Sequence, residues 1–147
     1  MLQETMERVL ARFEGDVQLV LYPFTLNPTS EVATQAALCA GEQGKFWEFH
    51  RLLYARQEQW RRLPNPRQRL EEFAVDIGID AAALDDCVRS GRMQELIDAD
   101  KNLGRSLGVR STPTVFVNEK RIVGAQPEGD FVRTIRQELD RARRQAQ

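Results

Sequence analysis

The sequence predicts an α/β chain in which short strands flank a long helical block. Three observations carry that reading. Val17-Gln18-Leu19-Val20-Leu21-Tyr22 is a short, mostly apolar run stopped by Pro23, the pattern of a buried strand. From Thr29 to Leu107 the signals are all helical. Beyond that block, Thr114-Val115-Phe116-Val117-Asn118 and Arg121-Ile122-Val123 give two strand signals close enough to form a hairpin.

Taken in order, the elements have these causes. Leu2, Met6, Val9, Leu10 and Phe13 recur at helical spacing, and Gly15 supplies a left-handed cap after them. After the Val17–Tyr22 strand, Ser30 or Thr29 is expected to cap a helix carrying Ala33, Ala36, Ala37 and Ala40. Gly41-Glu42-Gln43-Gly44 breaks it; this run lacks the setting and the Lys-Ser/Thr of a phosphate loop. Phe46, Phe49 and Leu53 mark the next helix. Asn65-Pro66 opens another, with Leu70, Phe73, Ala74 and Ile77 on its face and Gly78 after its end. Asp80 is expected to cap a turn bearing Leu84, Cys87 and Val88. The acidic pair Asp85-Asp86 is read as sitting at that helix start, where the dipole favours it. Met93, Leu96, Ile97, Leu103 and Leu107 line the last helix of the block, ended by Gly108. After the hairpin, Pro127 opens a helix with Phe131, Val132, Ile135 and Leu139 on one side, and an Arg-rich tail is expected to fray from Asp140.

Composition narrows the function classes. With 147 residues, 41% of them hydrophobic, the chain is expected to form one domain, 1–147, with a sizeable core. The net charge of −1 provides no global field for nucleic acid or an anionic membrane. Arg61, Arg62, Arg67 and Arg69 cluster without interleaved aromatics and are read as a solvated face. No apolar run reaches the roughly eighteen residues of a membrane span, and Met1-Leu2-Gln3-Glu4 shows no basic-then-apolar leader. As written, the chain would stay in the cytosol. One histidine, His50, and two scattered cysteines do not make a zinc site, so no metal and no cofactor is expected. His50 is read as a partly exposed helix residue, and Phe46, Trp47 and Phe49 as core.

The chemistry-bearing segment is Ser111-Thr112-Pro113-Thr114. Pro113 has no amide hydrogen, so the first position of a strand is one of the few that tolerate it. Its bond to Thr112 is either an ordinary trans link or a cis bond that turns the Thr112 backbone outward to meet an extended ligand. The run Gly108-Val109-Arg110-Ser111-Thr112-Pro113-Thr114-Val115-Phe116-Val117-Asn118, with Ile122-Val123-Gly124-Ala125-Gln126-Pro127, resembles the cis-proline loop and closing hairpin of DsbA-like thiol-disulfide oxidoreductases of the thioredoxin superfamily. Ala36-Ala37-Leu38-Cys39-Ala40-Gly41-Glu42-Gln43-Gly44-Lys45-Phe46-Trp47-Glu48-Phe49-His50 is similar to a segment common in bacterial members of that family. The resemblance covers almost the whole chain. It implies a thioredoxin-like fold with an inserted helical block at about residues 29–107, a substrate-binding loop at Ser111, Thr112 and Pro113, and extended or unfolded polypeptides as partners.

The resemblance also exposes a departure. DsbA-like enzymes carry a Cys-x-x-Cys at the head of the first helix, where the helix dipole and amides stabilise a thiolate. That helix begins here at Leu2, so the first strand or strands and both catalytic cysteines are absent from the sequence. The expectation is a truncated member: a fragment, a mis-called start, or a redox-dead descendant. The family is mostly periplasmic or extracytoplasmic, which leaves the compartment unassigned. Cys39 and Cys87 each lie on an apolar helical face, as buried structural thiols do. Family members with an extra disulfide place it across the insertion at similar positions, so a structural bridge stands beside two packed free thiols, with a redox role as a third option.

Three function classes follow: a thiol-disulfide oxidoreductase domain that is inactive in this chain; a non-catalytic peptide-binding module; and a relative of the kappa-type glutathione transferases or hydroxychromene carboxylate isomerases, which needs a Ser or Cys at the head of the first helix. In the family's fold the strand before Cys-x-x-Cys lies between the counterparts of Val17–Tyr22 and Thr114–Asn118. The gap is expected to close by direct pairing of those two segments or by another chain, most simply in a homodimer.

Overall fold

The computed structural model describes residues 2–147. The chain divides into two compact units, one made of the residues up to Leu21 with Arg105–Gln147, the other of Tyr22–Gly104.

In the first unit, α1 (Leu2–Arg12) and α7 (Glu128–Gln145) accompany a two-stranded antiparallel sheet of β1 (Thr114–Val117) and β2 (Lys120–Val123). Thr114 pairs with Val123 and Val117 with Lys120, which leaves Asn118 and Glu119 as a two-residue turn. Asn118 sits at φ +53°, the left-handed conformation such turns require and Asn tolerates. Strand alternation sends Val115, Val117 and Ile122 to one cluster with Val9 of α1, Phe13 just past its end, and Phe131, Val132 and Ile135 of α7. Arg8 Nε donates to Glu128 at 2.7 Å, tying α1 to the first turn of α7. Two expectations fail here. The Arg-rich tail does not fray from Asp140: α7 continues to Gln145, with Arg143 and Asp140 spaced i,i+3 at 3.8 Å on its exposed last turns. Val17–Tyr22 is not a strand either. It makes no ladder, Val17 alone packs into the cluster, and Val20 and Tyr22 are exposed.

The second unit contains α2 (Pro28–Glu42), α3 (Phe46–Ala55), a short 3₁₀ turn (Gln57–Gln59), α4 (Arg67–Asp76), α5 (Ala81–Ser90) and most of α6 (Gln94–Ser106). The cap of α2 is Asn27, whose side chain accepts from the Ser30 amide at 2.9 Å, and not Ser30 or Thr29; Pro28 fills the first helical position, where its missing N–H costs nothing. Ala33, Ala36, Ala37 and Ala40 give α2 a narrow face that lets its neighbours close on it. Phe49, Leu53, Leu70, Phe73, Leu84 and Ile79 pack around that face. Trp60 joins them, its buried indole donating to the Leu53 carbonyl at 2.8 Å. Trp47, expected in the core, is 41% exposed, and Leu96, Leu103 and Leu107 are exposed as well; only Ile97 of α6 is buried. Asp85 lies in the middle of α5 rather than at its start, since Asp80 is the cap, and it pairs with Arg67 and, at 3.0 Å, with Arg89. Among the described residues no helix is long and apolar enough to cross a membrane.

Cys39 of α2 and Cys87 of α5 are joined in a disulfide, with Cα atoms 5.9 Å apart across a separation of 48 residues. The two helices are held in register beside it. Gln43 receives the Asp80 amide at 2.9 Å and returns a bond to the Asp80 carbonyl at 3.2 Å. Arg92 forks onto both oxygens of Glu42, at 3.0 and 2.7 Å.

Candidate functional site

The site begins at Gly108, whose φ of +75° ends α6 and turns the chain toward the hairpin. The Arg121 guanidinium, carried on β2, donates to the Leu107 carbonyl and lies over the Phe116 ring at 5.3 Å from its centre. One side chain therefore anchors the start of the loop and covers the outward face of β1. Thr114 Oγ1 donates to the Ser111 carbonyl at 2.7 Å, folding the loop onto the strand it feeds. Ser111 and Thr112 are exposed, Pro113 is partly buried, and the Thr112–Pro113 peptide bond is cis.

The ladder decides which main-chain groups the site offers. The Gly124 amide donates to the Pro113 carbonyl at 2.8 Å, continuing the register past Thr114↔Val123. In an antiparallel pair, alternate residues face the partner strand. Val115 and Val117 thus spend their N–H and C=O groups on β2, whereas Thr114 and Phe116 turn theirs away from it. Among the described residues β1 has no strand on that side. Direct pairing of Thr114–Val117 with Val17–Tyr22, one of the two expected closures, does not occur: among the described residues the first segment pairs only with β2 and the second joins no ladder.

The other singled-out residues lie apart from this edge. Cys39 and Cys87 are each 1% exposed and bonded to each other, and no free cysteine exists among the described residues. His50 stacks on Phe46 and approaches Trp47 and Tyr54 on α3. No group of His, Cys, Asp or Glu among the described residues stands close enough to hold a metal ion. In the helical unit, Glu71 is pushed above the usual carboxylate range, first by burial and then by its hydrogen bond to Asp85. Asp85 is held below that range, chiefly by the Arg67 guanidinium. The cavity beside them, with Val32, Leu70 and Leu84 in its wall, measures about 10 Å³, at the limit for a single water. Arg67 and Arg89 pair with Asp85 beside this small cavity.

Sequence reasoning singled out Ser111, Thr112 and Pro113 but missed Arg121 and the role of Phe116. The period-2 pattern had the signal for Phe116, which alternates with Val115 and Val117. No pattern signal existed for Arg121, because its partners are a carbonyl fourteen residues away and a ring on the facing strand.

Known proteins similar to this chain include the Na(+)/H(+) antiporter NhaA 1 of Mycobacterium sp. (strain KMS), 30% identical in an alignment of 136 residues that covers 88% of this chain and 21% of that protein. The Na(+)/H(+) antiporter NhaA of Herminiimonas arsenicoxydans is 26% identical over 91% of this chain and 20% of its own length. Another, NhaA 1 of Salinispora arenicola (strain CNS-205), is 37% identical over 68% of this chain and 15% of its own length. The chain thus spans about a fifth or less of these relatives. A family profile described as thioredoxin matches residues 2–137, which include α1, the whole helical unit, the Thr112–Pro113 loop and the hairpin, and the chain belongs to the thioredoxin family.

Proposed function

We propose that this chain is a DsbA-like thioredoxin-fold domain that binds extended polypeptide along the free edge of β1 and does not itself turn over disulfides. Thioredoxin-family membership supports thiol–disulfide chemistry as the broad class. The observation that carries the binding part is the unpaired edge itself: Thr114 and Phe116 present main-chain donors and acceptors beside the exposed Ser111 and Thr112, the arrangement that strand addition requires. What argues against turnover in this chain is its cysteine inventory. Exchange needs an accessible thiolate, and both cysteines are buried in one bridge. The helical block at about residues 29–107 is an insertion in this reading, within one domain of 1–147. Ion transport, which the relatives' names describe, is no part of it, since the chain corresponds to about a fifth of them. The unpaired main chain near Val17–Leu21 adds a second copy of the chain as a partner.

Phe116→Pro tests the edge. It deletes one outward N–H and leaves the β2 ladder its bonds at Val115 and Val117. With a labelled, reduced and unfolded protein as probe, anisotropy is expected to show saturable binding to the wild type, weakened at least about 5-fold in the variant, the equivalent of one hydrogen bond of ~1 kcal/mol. Equal binding by both, with unchanged circular dichroism, would remove the edge from consideration. Insulin reduction by dithiothreitol is expected to run at the same rate with and without the chain. A glutathione-dependent relative would instead bind immobilised glutathione.

A further inference from the structure

The Cys39–Cys87 bridge is sealed in the folded helical unit. Exchange at a disulfide is a displacement at sulfur through a mixed disulfide, so the incoming sulfur has to stand beside one cysteine with its own carbon attached. Both cysteines are buried, in a cluster that also holds Ala36, Ala40, Phe49 and Leu84. The cavity that touches Ala36, one turn before Cys39, and Val88, next to Cys87, measures about 10 Å³. That is room for one water and not for a sulfur with its methylene. A second observation concerns what holds α2 and α5 together without the bridge. Asp80, at the head of α5, exchanges two hydrogen bonds with Gln43, and Arg92, just past its end, grips Glu42. None of these contacts passes through sulfur, and Leu84 of α5 packs in the same cluster as the alanine face of α2.

We infer that the bridge records the redox conditions under which the chain folded: a disulfide donor makes it on the open chain, before α5 closes on α2, and a chain that folds reduced is held as a dithiol which the same donor no longer oxidises. In the open chain the thiolate of one cysteine attacks a sulfur of the donor disulfide, forming a mixed disulfide and releasing one donor thiolate. The thiolate of the other cysteine then attacks the cysteine sulfur of that mixed disulfide and releases the second. The two cysteines together lose two electrons, the donor disulfide gains them as two thiols, and the two protons pass through solvent from the cysteines to the donor sulfurs. Once α5 has closed, exchange in either direction waits for the unit to open, and its rate falls by the fraction of molecules that are open. The sealed dithiol and the sealed disulfide are thus two long-lived forms of one fold. The latch lies within Tyr22–Gly104 and uses neither β1 nor the Thr112–Pro113 loop, so it stands independently of the function proposed above.

Oxidised glutathione is the probe. The full chain is reduced in urea, freed of reductant and refolded without oxygen, and refolding is checked by far-ultraviolet circular dichroism. Loss of free thiols on adding oxidised glutathione is followed by acid quenching, alkylation and mass measurement, in native buffer and in urea above the unfolding midpoint at the same pH. The folded dithiol is expected to react at least about 100-fold more slowly than the unfolded one, and reduction of the native bridge by dithiothreitol is expected to slow by a similar factor. Asp80→Ala, which loosens the head of α5, is expected to raise both native-state rates about 5-fold, the equivalent of the ~1 kcal/mol of a lost cap. A ratio below about 100 between unfolded and folded rates would overturn the inference, because the thiols would then be reachable in the closed unit. So would native-state rates unchanged by Asp80→Ala, or a reduced chain that fails to refold, since no sealed dithiol would then exist.

Discussion

Reduction of the Cys39–Cys87 bridge is the perturbation whose size follows most directly from the molecule. The bridge closes a loop across a separation of 48 residues. In the chain-entropy model, a loop of that length restricts the unfolded state by about 4 kcal/mol at 25 °C. Little in the folded state offsets this, because both sulfurs sit in a fully packed cluster and the reduced thiols stay buried as small apolar groups. The Gln43–Asp80 and Glu42–Arg92 contacts survive reduction, so α2 and α5 keep their register. With a urea dependence of about 2 kcal/mol per molar, the midpoint is expected to fall by about 2 M on reduction. The assay is urea unfolding followed by far-ultraviolet circular dichroism, with and without dithiothreitol, and with the Cys39→Ala, Cys87→Ala double variant as the irreversible case. A shift below about 0.5 M in both would refute the reasoning and mean that the unfolded chain is already compact around this pair.

Glu71→Gln is expected to leave the protein as stable as the wild type or more so at pH 7. Burial and the neighbouring Asp85 disfavour the Glu71 charge, a penalty present above its raised pKa and relieved as pH falls through it. The advantage should therefore vanish on acidification, and a thermal melt series between pH 7 and pH 4 checks it. Below that window Asp85, whose pKa is lowered by Arg67, is protonated in turn and its contribution is lost in both proteins. Asp80→Ala is expected to cost about 1 kcal/mol by freeing the Ala82 and Ala83 amides, while Gln43 keeps its hold on the main chain; urea midpoints measure it. Trp60→Phe is expected to cost about 1 kcal/mol through the lost indole donor to Leu53, measured the same way.

Helices were legible in this sequence wherever a local stop or start signal existed. Gly15, Gly78 and Gly108 stand in the left-handed conformation just past the ends of α1, α4 and α6, as their positions in the apolar pattern implied. Asp80 caps α5 for the same reason. The Asn27 cap was misread because Thr29 and Ser30 carry equally good capping side chains, and only the Pro28 ring favours the earlier start. Val17–Tyr22 reads as a strand because its composition is that of one, but pairing is not a local property. A run of apolar residues becomes a strand when a neighbour supplies hydrogen bonds, and nothing within these six residues says whether one does. Leu96, Leu103 and Leu107 repeat at helical spacing and yet remain exposed, so periodicity located their helix but not what covers its face. At the candidate site the sequence placed Ser111, Thr112 and Pro113 beside a strand. It was blind to Arg121, whose role depends on two partners that meet only after the hairpin closes.

The Arg121–Leu107 anchor has a thermodynamic consequence. Fixing a free backbone residue costs about 1–2 kcal/mol, and a ligand that must order its own binding loop carries that penalty for each residue it immobilises. Here the guanidinium ties down one end of the segment leading to Ser111, and the Pro113 carbonyl fixes the other through Gly124. Loosening the anchor with Arg121→Ala would move the ordering cost from folding to binding, and a visiting peptide would meet a floppier edge. Association would then be accompanied by a larger unfavourable entropy, readable by calorimetry even where the free energy scarcely changes. An anchor that also lies over the Phe116 ring of β1 can in this way set how long a bound strand stays.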